Sequence, residues 1–323
     1  MILAAKTFFT SFIFSFIIFP YFIKFLKKIS KDGQPIRSYG PENHLITKKN
    51  TPTMGGMVIL ISALFSALLW IQLTPKILLL IFTTLFFALL GFIDDYLKLK
   101  RNNHQGLNAK IKILIQFAVS MFMLKLYSID DLMKIYLFKE TIIDLGYLYI
   151  PFAAFVIVGA SNAVNLTDGL DGLAATQTIA SFASLGLIAY LIQADMSIVL
   201  FCTAFIGAIL SFLWFNAYPA KIFMGDVGSL SIGAALGLVS VLIKREILFA
   251  VIGTIFVIET LSVIIQVSYF KYTKFRYKEG KRIFLMSPIH HHFEKKGWLE
   301  NTVVMKFWII SVVCSVFAMT FLL

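Results

Sequence analysis

Long runs of apolar residues, separated by short polar segments, dominate the chain. A transmembrane helix needs about 20 mostly apolar residues, and ten stretches approach or reach that length. They cover roughly residues 2–26, 55–73, 76–94, 109–128, 150–166, 171–192, 197–216, 227–243, 246–270 and 302–322. The pattern predicts an all-α polytopic membrane protein with about ten transmembrane helices. Because we find no internal repeat, low-complexity run or soluble domain, residues 1–323 are predicted to form a single integral-membrane domain.

Three smaller features refine this prediction. The first span is too long for a cleaved signal peptide and has no small-residue cleavage site before Pro20, so it is expected to remain as an anchor. Residues 129–149 alternate irregularly between apolar and polar, which is compatible with a short hairpin or with an interfacial helix. Cys202 and Cys314 lie inside predicted spans and outside any metal-ligand pattern, so they are interpreted as small buried apolar residues.

Composition supports a bilayer rather than water as the solvent of this chain. Of 323 residues, 59% are hydrophobic and 14% are charged, whereas a soluble domain has about 45–50% apolar and about 25% charged residues. Too few polar side chains remain to cover a water-facing surface. The net charge of +12 fits an excess of basic residues on the cytoplasmic side and could attract anionic lipids and phosphate substrates. Nothing in the sequence suggests nucleic-acid binding.

The distribution of lysine and arginine predicts the orientation of the chain. Loops that follow the odd-numbered spans carry 22 of these residues, and the opposite side carries 7. Because cytoplasmic loops are enriched in Lys and Arg, the loops after spans 1, 3, 5, 7 and 9 are expected to be cytoplasmic. Both termini would then face outward.

The few acidic residues fall on this predicted cytoplasmic side. The chain has 17 Asp and Glu, and five aspartates occupy Gly- or Asn-rich turns next to apolar spans. These are Asp94, Asp95, Asp168, Asp171 and Asp226. His290, His291 and His292 emerge on the same side, between spans 9 and 10. The orientation of the chain is inferred from Lys and Arg, whereas these clusters consist of Asp and His. Because both place the clusters on the cytoplasmic side, one shared functional site is predicted.

The residue types in these turns indicate metal-dependent handling of phosphates. Mg²⁺ takes one or two carboxylates and leaves its other positions to phosphate oxygens and water. Lys48, Lys98 and Lys110 could neutralise phosphate charge. Asp168 and Asp171 would share a face if they lay on one helical turn. Asp94 and Asp95 are about 100° apart on a helix, so they are expected to point differently and to divide their tasks.

Simpler interpretations remain open for single residues. One aspartate near a helix end can be an ordinary interfacial charge, and Asp168 or Asp226 could be no more than a helix cap. The three histidines could be a solvated surface or an adventitious metal site, and Phe223 could be a packing residue. Glu259 lies in the middle of a span, where an ionisable group is costly. It is therefore either functional or a protonated group bonded to a neighbouring helix.

Six motifs give the chain a family resemblance. The segments are HLITKKNTPTMGG, GFIDDYLK, NAVNLTDGLDGLA, FNAYPAKIFMGDVGSL, IETLSVIIQVSYF and MSPIHHHFEKKGW. In order and spacing they resemble the phospho-N-acetylmuramoyl-pentapeptide transferases, the lipid I synthases of the polyprenyl-phosphate N-acetylhexosamine-1-phosphate transferase superfamily. The resemblance runs from about residue 35 to residue 310. One departure is Asn50, where the family usually has Gly.

The resemblance implies a Mg²⁺-dependent phospho-sugar transferase in the bacterial cytoplasmic (inner) membrane, functioning in peptidoglycan biosynthesis as a homodimer. Its substrates would be UDP-N-acetylmuramoyl-pentapeptide and undecaprenyl phosphate, and its products lipid I and UMP. The family's essential aspartates match Asp94, Asp95 and Asp226, with Asp226 as the Mg²⁺ ligand. Its substrate-binding positions match Lys48, Thr53, Lys98, Lys110, Asn165, Asp168, Gly169, Leu170, Asp171, Asn216, Phe223, Gln266 and the three histidines His290, His291 and His292. Within this set, Phe223 would stack on uracil beside Asn216, Gly169, Leu170 and Asp171.

Two other functions compete with this one. A sister transferase that uses UDP-N-acetylglucosamine, for teichoic acid or O-antigen synthesis, would share the aspartate chemistry. A secondary transporter would instead place charges near the midplane, often in two related halves, and we see no such repeat. For the transfer itself, direct attack by the lipid phosphate is favoured over an aspartyl-phosphate intermediate. The lipid phosphate is already mostly ionised near neutral pH, so a general base would add little.

Overall fold

A computed structural model describes residues 1–29, 48, 51–101, 106–127, 134–136, 142–193 and 195–321. Asn50, the departure from the family motif, lies outside these residues. Within them the chain forms twelve α-helices. They are α1 (Ile2–Ile29), α2 (Gly56–Trp70), α3 (Pro75–Lys100), α4 (Ala109–Leu126), α5 (Tyr149–Thr167), α6 (Leu173–Ile188), α7 (Met196–Asn216), α8 (Gly225–Leu242), α9 (Glu246–Ile252), α10 (Thr254–Tyr277), α11 (Ile289–Lys295) and α12 (Glu300–Met319). A π-helical turn, Ala189–Gln193, extends α6.

Eight helical segments of the described chain are long and apolar enough to cross a membrane. Two further helices match predicted spans less well, because α2 has only 15 residues and α4 carries three lysines. Large apolar side chains such as Leu114, Phe155 and Val316 are more than 60% exposed, which suits contact with lipid rather than water. The class of polytopic membrane protein is therefore confirmed, while the count of ten spans and their orientation remain predictions.

Of residues 129–149, the structure describes two short paired strands, which agrees with the hairpin interpretation. Strands β1 (Lys134–Tyr136) and β2 (Ile142–Asp144) pair antiparallel, with Ile135 opposite Ile143. A two-stranded pair of this length is not stable alone. Here the Arg245 guanidinium lies 5.2 Å from the centre of the Tyr136 ring, so the pair is attached to the turn between α8 and α9.

Helix α8 is the centre of the fold and is buried over nearly its whole length. It packs against α3 and α5, and small residues allow the close approach. A Cβ added to Gly233 would lie 2.6 Å from the carbonyl oxygen of Ala160, and one added to Gly237 would lie 2.8 Å from Cα of Ile157. Close packing through small residues is typical of helices in membranes. It brings Asp226, in the first turn of α8, next to α3 and α5.

Two predicted spans, 246–270 and 76–94, differ in their bounds from the helices of the structure. The span predicted at 246–270 is divided into α9 and α10 at Gly253, a residue whose helix propensity is about 1 kcal/mol below that of alanine. Helix α10 also continues to Tyr277. Helix α3 does not end at Asp94, as predicted, but continues to Lys100. Asp94 and Asp95 are consequently buried within a helix rather than placed at its end.

Asp195 caps α7 and should contribute to stability in a pH-dependent manner. Its carboxylate accepts hydrogen bonds from the backbone N–H groups of Ser197 and Ile198 and lies 2.6 Å from Nζ of Lys76. Burial acts to raise the pKa of Asp195, but the contacts to Lys76 and Ser197 outweigh it and lower the pKa below its ordinary value. The ionised form is therefore favoured in the folded protein. Its contribution is present above the ordinary pKa and is lost as the pH falls through the lower folded value.

We expect Asp195→Ala to lower the free energy of unfolding by about 1–2 kcal/mol at pH 7, since the cap and the ion pair are both removed. Asp195→Asn keeps the cap and should lose less. Thermal denaturation in detergent measures both effects. Equal midpoints for wild type and Asp195→Ala at pH 7 would contradict this assignment, as would a difference that grows on acidification.

Candidate active site

Three carboxylates and two ammonium groups form a buried cluster at one end of α3 and α8. Oxygens of Asp94, Asp95 and Asp226 all lie within 4.8 Å of one another. Nζ of Lys98 is 2.6 Å from Asp94, 3.0 Å from Asp226 and 3.7 Å from Asp95. Nζ of Lys112 is 3.2 Å from Asp226 and 3.8 Å from Asp94. With all five groups ionised, the cluster carries one net negative charge.

Adjacent positions on α3 converge on this cluster, which corrects the expectation that Asp94 and Asp95 point apart. Lys98 follows them by four and three residues, the spacings at which helical side chains meet. Backbone donors then distinguish the two carboxylates. Asp94 accepts a 2.7 Å hydrogen bond from the N–H of Leu107, and Asp95 accepts one of 3.2 Å from the N–H of Val227. Oδ1 of Asp95 is buried and has no hydrogen-bond partner in the described part of the chain.

Asp226 is oriented by its neighbours on α5 and α8. The amide nitrogen of Asn165 donates to Oδ1 of Asp226 at 2.9 Å and to the hydroxyl of Ser229 at 2.8 Å. Oδ2 of Asp226 is thereby left to Lys98 and Lys112. Asn165 was expected at the site from the sequence, whereas Ser229 was not identified there.

Lys112, not Lys110, is the lysine of α4 that reaches the cluster. The two residues lie two apart, or about 200° around a helix, so only one of them can face α3 and α8. Lys110 is exposed at the start of α4, and Lys112 is half-buried. The spacing of Lys110 and Lys112 on the helix could have suggested this choice only if the buried side of α4 had been known. Because apolar residues are spread around α4, the sequence does not show which side that is.

A second cluster surrounds Lys48. Its Nζ lies 2.8 Å from Asp171 and 2.6 Å from Glu300, and it is 5.9 Å from the centre of the Phe223 ring. Burial acts to lower the pKa of Lys48, but the carboxylates of Asp171 and Glu300 outweigh it and raise the pKa. Lys48 is therefore firmly protonated. Glu300, the first residue of α12, was missed by the sequence analysis because no motif singled it out.

The turn between α5 and α6, residues 168–172, joins the two clusters. Asp168 and Asp171 do not lie on one helical turn, the condition under which they would share a face, and their side chains have different surroundings. Asp171 accepts a hydrogen bond from the N–H of Ala220, and the N–H of Gly172 donates to Asn216. Gly172 has a φ of +82°, which favours glycine. Burial, followed by the negative charges of Asp226 and Asp95, raises the pKa of Asp168 well above its ordinary value.

Residues 52–56 pair through their backbone with the segment around Phe223. The N–H of Phe223 donates to the carbonyl of Pro52, and the N–H of Gly55 donates to the carbonyl of Phe223. This pairing holds the Phe223 ring, which is half-buried, beside Lys48. The Thr53 hydroxyl is buried without a hydrogen-bond partner among the residues described here. It lies near Asp95, because a Cβ added at Gly225 would be 2.8 Å from Thr53 Oγ1 and 2.6 Å from Asp95.

The contacts of the remaining predicted site residues are made outside the cluster of Asp94, Asp95 and Asp226. His290 contacts Glu259 at 3.0 Å, and His291 contacts Glu294 at 2.6 Å. Nδ1 of His292 accepts from the N–H of Leu285.

Gln266 binds the backbone of Ile283 and Phe284, which fastens the segment after α10. Leu170 is buried with Ile255 and other residues of α10–α12. Gln266 thus positions the backbone of the segment after α10, and Leu170 anchors the turn 168–172. A contact of either residue with substrate remains a prediction.

The carboxylate cluster has the donor chemistry of a Mg²⁺ site. One oxygen from each aspartate lies within 4.8 Å of the others, close to the ~4 Å that separates opposite ligands on this ion. The hydrogen-bonding capacity of Asp95 Oδ1 is unused among the described residues. Lysines beside carboxylates are suited to bind phosphate oxygens. The fold and the site together define a polytopic membrane protein with a buried, cation- and phosphate-compatible centre.

Comparisons with known proteins agree with this class. The family model described as glycosyl transferase family 4 matches residues 77–244. A phospho-N-acetylmuramoyl-pentapeptide-transferase of Wolbachia sp. subsp. Drosophila simulans (strain wRi) is 78% identical over the full length of both chains. The protein of the same name from Wolbachia sp. subsp. Brugia malayi (strain TRS) is 72% identical, again over both full lengths. In Rickettsia bellii (strain OSU 85-389) the identity is 50%, covering 93% of this chain and 87% of the relative.

The chain therefore belongs to glycosyl transferase family 4 and, within it, to the family of phospho-N-acetylmuramoyl-pentapeptide-transferases. The family resemblance seen in the six motifs is confirmed. Secondary transport, the non-enzyme alternative, is not the activity of this family.

Proposed function

We propose that this chain transfers phospho-N-acetylmuramoyl-pentapeptide from UDP-N-acetylmuramoyl-pentapeptide to undecaprenyl phosphate, giving lipid I and UMP for peptidoglycan synthesis. The observation that carries the proposal is the buried cluster of Asp94, Asp95 and Asp226 with Lys98 and Lys112. It occurs in a chain that is 78% identical over its whole length to a protein of that name. Carboxylates and ammonium groups at one point suit a reaction between two phosphate-bearing substrates.

The reaction replaces one phosphoanhydride by another. An oxygen of the lipid phosphate forms a bond to the β-phosphorus of the nucleotide. The bond from that phosphorus to the bridging oxygen breaks, and UMP leaves with the electron pair. We favour this direct route, because the lipid phosphate is already mostly ionised near neutral pH and needs little help from a base. Trapping a covalent phospho-sugar enzyme with the nucleotide substrate alone would refute it in favour of an aspartyl intermediate.

Asp94, Asp95 and Asp226 would hold Mg²⁺, which supplies charge neutralisation to the diphosphate when bound. Lys98 and Lys112 bind phosphate oxygens and balance the charge of two anionic substrates at one point. Asn165 keeps Asp226 in its orientation through the 2.9 Å hydrogen bond to Oδ1. Positioning and charge neutralisation are the main catalytic requirements of phosphoryl transfer.

Lys48 and the Phe223 ring would bind the nucleotide end. The ring is half-buried beside the lysine, so one face can stack on a base while the ammonium meets a polar edge or a phosphate. Asp171 and Asn216 shape this pocket through their backbone contacts. The pocket lies next to the carboxylate cluster through Asp168 and Thr53, as a nucleotide diphosphate requires.

The proposed topology determines on which side of the membrane the reaction takes place. Ten spans with both termini outward would place the carboxylate cluster and the histidines at the cytoplasmic face, where the soluble nucleotide is available. The lipid phosphate would arrive from within the bacterial inner membrane. A homodimer is proposed from the family resemblance and is tested by the mass of the protein–detergent complex.

The direct test is UMP release by the full-length protein in detergent with undecaprenyl phosphate and Mg²⁺. We expect release from UDP-N-acetylmuramoyl-pentapeptide and none from UDP-N-acetylglucosamine. The opposite preference would assign the protein to the sister transferases and leave the site chemistry intact. No release from either donor, by protein shown to be folded, would refute the proposed function.

Glu300 should contribute more to binding of the nucleotide than to the rate of the chemical step. Its Oε1 lies 2.6 Å from both Nζ of Lys48 and the N–H of Asp171, and hydrogen bonds to charged groups contribute about 1.5–3 kcal/mol. We expect Glu300→Gln to raise KM for the nucleotide about tenfold or more, with kcat changed by less than about threefold. Glu279→Gln, at an exposed position, is the matched control. A fall in kcat at unchanged KM would contradict this role.

A further inference from the structure

Two ionisable side chains outside the carboxylate cluster are buried against each other. Nδ1 of His290 lies 3.0 Å from Oε1 of Glu259, and the two side chains are only 1% and 0% exposed. His290 is in the first turn of α11, and Glu259 is in α10. An ionisable group at such a position is costly unless it is paired. The contact therefore fastens α11 to α10 through the least exposed of the three histidines.

The other edge of the His290 ring faces the turn 168–172. Its Nε2 has no hydrogen-bond partner among the described residues. A Cβ added to Gly169 would overlap Nε2 and would lie 2.8 Å from Cε1 of the ring. Since real Cβ atoms essentially never approach another heavy atom closer than 3.0 Å, the ring and a side chain at position 169 exclude each other. Gly169 is required here by the ring, not by its own backbone angles.

The turn has further attachments on either side of Gly169. Leu170 packs into the apolar cluster formed by α10, α11 and α12. The N–H of Asp171 donates to Glu300, and its carboxylate reaches Lys48. A displacement of Gly169 by the ring would therefore be transmitted to Leu170 and Asp171. Asp171 is the residue through which the turn meets the Lys48 pocket.

We infer that Glu259 and His290 are positioning residues for the turn 168–172: Glu259 orients the imidazole ring, and the ring sets the position of Gly169 and hence of Asp171. The inference rests on the proposed function, because it takes this turn as part of the nucleotide pocket. A neutral imidazole donates from one nitrogen and presents the other as an acceptor. A carboxylate on Nδ1 selects the tautomer and the ring angle, as it does for histidines in other sites.

The distinguishing result is compensation between Gly169 and His290. In the full-length protein we expect Gly169→Ala to raise the Kd for UMP and the KM for the UDP-linked donor about tenfold, with a smaller effect on kcat. His290→Ala should raise both by a similar factor, because the turn loses its support. The double variant should be no weaker than Gly169→Ala alone, since removal of the ring makes room for the methyl group.

Gly159→Ala is the matched control, because a Cβ at this exposed position of α5 has no atom within 4 Å. It should leave the Kd, KM and kcat unchanged. Effects of Gly169→Ala and His290→Ala that multiply in the double variant would overturn the inference. An unchanged Kd in Gly169→Ala would overturn it as well.

The Glu259 contact is tested by a conservative and a non-conservative substitution. Glu259→Gln retains an oxygen that accepts from Nδ1, so the Kd for UMP should stay within about threefold of wild type. Glu259→Leu removes the acceptor and should match His290→Ala. Equal losses in the Gln and Leu variants would refute orientation through this hydrogen bond.

Failure of the inference can be separated from failure of the proposed function. Wild-type protein that binds UMP but releases none from either donor would refute the transfer reaction, and the variants would still be compared by their Kd for UMP. Wild-type protein that does not bind UMP would overturn both. Normal turnover by wild type, with no compensation in the double variant, would overturn only the assignment of Glu259 and His290.

Discussion

Asp226→Asn is expected to lower kcat by about 10³-fold or more, the largest effect of any single substitution proposed for this protein. The carboxylate contacts Lys98 and Lys112 and contributes one of the three oxygens of the candidate Mg²⁺ site. Removing one preorganised electrostatic group from an active site costs about 10²–10³-fold in kcat, and loss of a metal ligand adds to that. The measurement is UMP release at saturating concentrations of both substrates.

Asn has nearly the shape of Asp, so the close packing of α8 against α3 and α5 should survive the substitution. An unchanged thermal midpoint in detergent checks this. Asp144→Asn, at an exposed position of β2, is the matched control and should keep wild-type kcat. An Asp226→Asn protein that retains more than about a tenth of wild-type kcat would contradict the central role of this carboxylate.

The membrane class and most helix positions could be predicted because apolar length is a local property of the sequence. The main errors arose where local pattern and packing disagree. Gly253 lies within a continuous apolar run, so hydrophobicity alone gives no reason to divide α9 from α10. Helix α3 continues past its apolar residues to Lys100, because Asp94, Asp95 and Lys98 satisfy one another inside the protein.

The candidate site could be predicted as a set of residues but not as an arrangement. Motif resemblance and acidic clusters identified Asp94, Asp95 and Asp226, and the structure brings these three together. Glu300 could not be found in this way, because its partners Lys48 and Asp171 are 252 and 129 residues away in the chain. The same holds for Glu259, for which the sequence left two interpretations open. Its contact with His290 now identifies its partner.

The family motif assigns Lys110 to the site, whereas the structure shows Lys112 in contact with the carboxylates. Substitution of each lysine tests which of the two contributes to catalysis. Lys112→Gln should lower kcat by about 10²-fold, because Nζ of Lys112 lies 3.2 Å from Asp226 and is placed to neutralise phosphate charge. Lys110→Gln should lower kcat by no more than about threefold, since its exposed ammonium acts only through solvent, where ionic screening is strong. UMP release at saturating substrate measures both.

Lys125→Gln, at an exposed position near the other end of α4, controls for the loss of one positive charge from this helix and should leave kcat unchanged. If Lys110→Gln proved more damaging than Lys112→Gln, the helical phase of α4 in the working enzyme would have to differ from the one described here. If the two were equally damaging, a diffuse field of basic residues, rather than contact with Asp226, would be guiding the phosphates. Only a large loss confined to Lys112 supports a lysine that acts within the carboxylate cluster.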